Sequence, residues 1–151
     1  MRPLAEIEAR IAELGTAAKP APAPAVAAAE LLALGEEVLC HWIAARGQTP
    51  TAEKREGFRL LALHRQGAKG EPSFNACRET CRELVYHHNL IVMDPDHPQV
   101  RKRLAMAALV ATHLHLFIGG KMEVAQLGEF CCSSRPLRAP SGDQPEAPAA
   151  E

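Results

Sequence analysis

The sequence predicts an all-α fold: an antiparallel four-helix bundle over residues 25–130, with an amphipathic segment and Pro/Ala linker (1–24) before it and a disordered tail (131–151) after it. Three observations carry this expectation. The 151 residues include 27 alanines and only 4% aromatics, so much of the 47% apolar content is small and helix-favouring. Pro50, Pro72, Pro95 and Pro98 fall between long proline-free stretches, where they read as helix starts. Alternating apolar and polar runs of the kind a half-buried strand needs are few.

Each element has its own signal. Leu4 to Leu14 mixes charged and apolar residues at amphipathic spacing, and Lys19 to Pro24 is a semi-rigid linker. The first long helix is expected from Ala25 to Ala45, with Ala28, Leu31, Gly35, Val38 and Trp42 on one stripe and Leu32, Leu39 and Ile43 widening it. Gly47 ends it. Thr49 as N-cap and Pro50 in the first turn predict a second helix to about Gln66. The third runs from Ser73 to Val92. Asp96 with Gln99 three residues on resembles a capping box for the fourth, which Gly119-Gly120 should stop, and a short helix over Met122 to Phe130 follows. The tail from Ser133 is rich in Pro, Ala, Ser and charge, which predicts disorder.

Net charge is −1, so no global attraction to nucleic acid or an anionic membrane is expected. The middle of the chain, residues 46–103, is mildly basic, with 11 Lys/Arg against 7 Asp/Glu. Arg55 and Arg59, Arg78 and Arg82, and Arg101-Lys102-Arg103 form three basic groups. They read either as solvated helix surface or as a docking face for an acidic protein or a nucleic-acid backbone. The apolar run Leu104 to Ile118 would span about 22 Å as a helix, short of the roughly 30 Å hydrocarbon core, so no transmembrane segment is expected. Met1 to Leu14 has no uninterrupted apolar run of the signal-peptide kind, and five cysteines is an odd number. A reducing cytoplasm with free thiols follows.

The most informative pattern lies between Phe74 and Ile91. Phe74, Cys77, Cys81, Leu84, His88 and Ile91 step 3-4-3-4-3, which keeps all six on one helix face. Cys77 and Cys81 are neighbours at i,i+4 and could share one Zn or Cu ion. His88 lies two turns further, roughly 10 Å along the axis, so a complete site needs ligands from other helices. His64 and His113 are the first candidates, with Cys40 or His41 behind them. The other reading makes both thiols small apolar core residues, and a redox thiol is the third. Cys131-Cys132 is a second thiol pair with the same alternatives.

Several chemistries are excluded by pattern. His87-His88 diverge by about 100° on a helix, and His113 and His115 by about 200°, so neither pair chelates one ion. Ferritin-type sites need E-x-x-H, whereas Glu37/His41 and Glu83/His87 are spaced by four. No C-x-x-C-H haem motif, phosphate loop, G-x-S-x-G or H-E-x-x-H is present. The expected function is therefore a small non-catalytic helical module acting through a protein partner or as a homo-oligomer, with nucleic acid not the expected partner. The alternative is a soft-metal-binding or thiol-responsive protein built on Cys77 and Cys81.

Overall fold

The structure, a computed structural model, describes residues 1–16, 21–71 and 74–127. It is all-helical, with five helices in the order α1 (Leu4–Gly15), α2 (Pro24–Ala45), α3 (Arg59–Ala68), α4 (Asn75–Met93) and α5 (Val100–Val124). Among the described residues there is no strand; the single bridge pairs Arg55 with Phe58. Met1–Ile118 form one compact unit, and a second begins at Gly119.

In the first unit α2 is the central element, packed on α1, α3 and α4, while α3 also packs on α4. Its interior position follows from composition: Ala27, Ala28, Leu31, Leu34, Val38, Leu39, Trp42 and Ile43 are all buried. The expected stripe is thus widened by Ala27 and Leu34, as suits a helix with neighbours on several sides. Gly35 marks the convergence. A Cβ there would stand 2.9 Å from Leu84 of α4 and 3.5 Å from both Leu60 of α3 and Leu114 of α5. Trp42 ties α2 to α3 by donating its indole N–H to the Gly67 carbonyl at 3.1 Å.

The N-terminal segment docks on the rest of the chain. Ile7, Ile11 and Leu14, at i, i+4 and i+7, are buried. Arg10 clamps Glu30 with two bonds of 2.6 and 2.8 Å, which lower the Glu30 carboxyl below its ordinary range, and Arg2 lies 3.2 Å from Glu37. At the helix end, a Cβ on Gly15 would lie 2.6 Å from the Ala108 Cβ of α5. Both atoms are fixed to backbone, so this glycine sets the approach of α1 to α5.

Helix boundaries depart from expectation in three places. Thr49-Pro50 does not start a helix; α3 begins at Arg59. Glu56 and Gly57 both have positive φ, 56° and 87°, and Arg55 and Phe58 exchange two 3.0 Å backbone bonds around them, a tight two-residue turn incompatible with continuous helix. Side chains meet three further backbone groups of the loop: Gln66 bonds Thr51 N–H and Thr49 C=O, both at 2.8 Å, and Arg59 donates to Thr51 C=O. Secondly, the Asp96/Gln99 box does not form. His97 serves that end instead, its ring accepting the Gln99 N–H at 2.9 Å and its carbonyl the Val100 N–H. Thirdly, Gly119-Gly120 do not stop α5.

In the second unit the described residues are the end of α5 and its cap. Gln126 takes φ 56°, Leu127 N–H returns to Met122 C=O at 2.8 Å and Gln126 N–H to Glu123 C=O at 3.1 Å. This is a Schellman termination, the same device that closes α2 at Gly47, where the left-handed residue is the expected glycine. The expected helix over Met122 to Phe130 is therefore only the end of α5 as far as Val124, and its last residues, with the tail 131–151, lie outside the described residues.

Gly15→Ala tests the close approach. Helix propensity alone favours alanine, yet the clash with Ala108 should destabilise the protein by about 1–3 kcal/mol. A fall in thermal midpoint is the expected result.

Candidate functional site

Five of the six residues of the cysteine stripe are buried: Phe74, Cys77, Cys81, Leu84 and Ile91. Helical spacing placed them correctly. The sixth, His88, is half-buried; it presents an edge contact to Phe58 with centroids 5.9 Å apart, and its Nδ1–H donates to Asn89 Oδ1 at 2.9 Å. Cys81 is in hydrogen-bond contact with Cys77, and that bond, followed by burial, pushes its thiol well above the ordinary value. A thiol held protonated inside a core is a poor ligand and a poor nucleophile. Cys40 on α2 is also buried, and burial raises its thiol too.

The histidines proposed to complete a metal site sit in different settings. His64 on α3 is buried, and its Nε2–H donates to the Phe74 carbonyl at 3.0 Å. His113 is exposed on the outer side of α5. Of the candidate set, the structure brings Cys77 and Cys81 together; among the described residues, no three His, Cys, Asp or Glu side chains form a group that could hold a metal ion. Cys131 and Cys132 lie outside the described residues.

A different role for histidine emerges from the geometry. His41 on α2 donates Nε2–H to the Arg2 carbonyl at 2.7 Å, and His115 on α5 does the same to Leu4 at 2.9 Å. With His64 this makes three imidazoles fastening backbone carbonyls at or just before helix starts. A carbonyl can only accept, which fixes the proton on Nε2 in each. No sequence motif encodes such bonds, because the partners are 10, 39 and 111 residues apart.

The outer face of α5 is the feature that sequence reasoning missed. Leu104, Ala107, Val110, Ala111, Leu114 and Ile118 are buried on its inner side. Yet Met106, Leu109 and Leu116 on the other side are 47%, 50% and 57% exposed. With Lys102 and His113 they step 4-3-4-3, a second heptad stripe on one helix. At 25 residues α5 extends about 37 Å, well beyond the 22 Å estimated from the apolar run alone. By length and composition it could cross a membrane. A helix at the core of a globular protein passes the same test, and 44% of its most apolar window is buried inside the protein.

The basic groups also resolve differently. Arg55 and Arg59 are not a helical pair, since Arg55 lies in the loop before α3. Arg59 turns toward Thr51 and, at 3.9 Å, toward Glu36. Arg82 instead reaches Glu56 with bonds of 2.6 and 3.1 Å. Comparison of the chain with protein-family models, with curated proteins and with solved structures finds no match.

Two outcomes follow from the buried groups. Burial holds His64 below its ordinary 6.5, with the Phe74 bond opposing the effect and Arg78 and Arg82 adding to it. The unfolded chain therefore protonates first, and the stability this supplies is present above about pH 6.5 and drains away as pH falls toward the folded pKa. Thermal midpoints between about pH 7.5 and 5 should fall more steeply for the native chain than for His64→Gln. Cys77 and Cys81, 1% and 0% exposed, should resist alkylation until global unfolding. Elemental analysis of the same chelator-free sample should find no Zn or Cu; near-stoichiometric metal would instead favour the thiolate-site reading.

Proposed function

We propose that this chain is a small non-catalytic helical module that works by self-association, with the outer face of α5 as the contact surface. The observation that carries this is the doubled stripe of α5. A helix with two apolar faces belongs in an interior, and among the described residues nothing covers the side of Met106, Leu109 and Leu116. The apolar face of α1 is buried inside the chain, so association through the N-terminal segment is not the reading favoured.

The stripe matches itself when reversed. In an antiparallel pair of α5 helices centred on His113, Leu109 faces the partner copy's Leu116. By the same spacing Met106 faces Gly120, and Lys102 faces the opposite charge of Glu123. The two leucines thus meet each other, Met106 meets a glycine, and positive meets negative. Among the described residues nothing lies within 4 Å of where a Cβ on Gly119 or Gly120 would stand, so packing against those residues requires neither glycine. Each costs the helix about 1 kcal/mol relative to alanine, a cost that a closely approaching second helix accounts for.

This reading takes α2 to α5 as an antiparallel four-helix bundle, supported by the packing of α2 on α3 and α4 and by the short connections on either side of α4. α5 is one of its packed helices rather than a membrane span. A reducing cytoplasm suits three buried free thiols, Cys40, Cys77 and Cys81.

Sedimentation equilibrium should find a dimer. Leu109→Glu places an unmatched charge at the contact and should weaken it by two orders of magnitude or more, about 3 kcal/mol. Adding Leu116→Lys in the same chain should restore association, because only an antiparallel pair sets the new acid against the partner copy's new base. A native chain that stays monomeric at high concentration, with unchanged helicity, would sink this reading.

A further inference from the structure

Independently of α5, the packing of α3 on α4 gathers cations that the sequence keeps apart. Leu61 and Arg65 of α3 lie four residues apart and share a face, and Lys69 caps that helix; on α4, Arg78 and Arg82 are likewise four apart. The loop before α3 brings up Arg55. These five cations line a single cleft of about 630 Å³, and none of its described lining residues is acidic. Part of its floor is apolar, formed by Leu61, Ala68 and the His64 ring.

Two carboxylates hold the rim. Glu56 takes Arg82 in a bidentate bond and lies 3.9 Å from Arg55, while Glu79 lies 3.7 Å from Arg78. Arg65 and Lys69 form no ion pair with a described residue. Five cations against two carboxylates leave three positive charges in excess in a chain whose net charge is −1. Folding alone gives no reason to collect them, since like charges in a cleft repel. A second cleft of about 530 Å³ shares Arg55, Arg65 and Lys69, so these three are reached from both sides.

We propose that the cleft binds a small organic phosphate carrying at least two negative charges. Arg65, Lys69 and Arg78 take the phosphoryl oxygens, and the organic part lies against Leu61 and the His64 ring. Guanidinium forks match phosphate oxygens in pairs, and a concave wall of one sign concentrates the field on an incoming anion. The volume falls within the roughly 300–1,000 Å³ of small-ligand sites, and the cleft is short for a nucleic-acid strand. The apolar floor is what separates an organic phosphate from the free ion.

Isothermal titration of the full chain with ADP and with fructose 1,6-bisphosphate tests this, with adenosine and a 20-nucleotide dT strand as comparisons. The expected result is one-to-one binding of at least one of the two phosphates and none of adenosine. Arg65→Gln combined with Lys69→Gln should weaken that binding at least tenfold while leaving the helical signal and thermal midpoint near native, because both residues are solvent-facing at the cleft. Arg101→Gln, distant in sequence and not lining the cleft, should change nothing. No heat with either phosphate at millimolar concentration overturns the proposal, as does binding that the double variant leaves untouched. Tighter binding of the dT strand, with affinity collapsing as salt rises, overturns it in favour of a nucleic-acid surface.

Discussion

Phe74 is the point on which the rest of this structure depends. Its fully buried ring sits 5.4 Å from Trp42 of α2, 5.9 Å from His64 of α3 and 5.6 Å from Phe117 of α5, measured between centroids. Four helices therefore meet at one side chain at the head of α4. The same residue's carbonyl accepts the His64 N–H, so backbone and ring act together. In a chain with only six Phe, Trp and Tyr residues, three of them gather here. Ring contacts of this kind add about 0.5–1.5 kcal/mol each beyond the area they bury.

Around that cluster the helices approach closely because their residues are small. Gly15 against Ala108 and Gly35 against Leu84 are contacts that larger residues would forbid. Alanine-rich surfaces bury little area per residue, so such a fold needs directional bonds to hold its register. Imidazole and indole N–H groups supply them: His41 to Arg2, His115 to Leu4, His64 to Phe74 and Trp42 to Gly67. A count of histidines suggested ligands; His41, His64 and His115 instead bond main-chain oxygens.

The helical class, the cysteine stripe and the glycine stop at Gly47 were legible because each depends on local periodicity or a local φ requirement. Thr49-Pro50 misled because a good N-cap and a first-turn proline are permissive signals. The Glu56-Gly57 turn nearby and the Gln66 side chain from another segment prevailed. The Gly119-Gly120 stop failed for the converse reason, since glycine allows a helix to end without compelling it. The outer stripe of α5 was written in the sequence but hidden by the inner one, because two apolar faces on one helix cancel each other's periodicity. The basic cleft was legible only in its Arg78/Arg82 pair. Arg65 and Lys69 meet that pair only through the packing of α3 on α4, and the other pairing that spacing suggested, Arg55 with Arg59, is not a helical one.

The bond between His115 and the Leu4 carbonyl spans 111 residues. It bears on the order of assembly. During synthesis α1 precedes α5, yet one of its two imidazole fasteners is made only when α5 appears. Until then Ile7, Ile11 and Leu14 lack their full burial site. Of these helices the first made is thus the last to be fully secured, a high-contact-order closure added to a fold in which α2 also packs on α4, two helices further along. Nascent chains would pass through a stage in which α1 is fastened through α2 alone and the ring cluster at Phe74 still lacks Phe117, and the arrival of α5 would complete both.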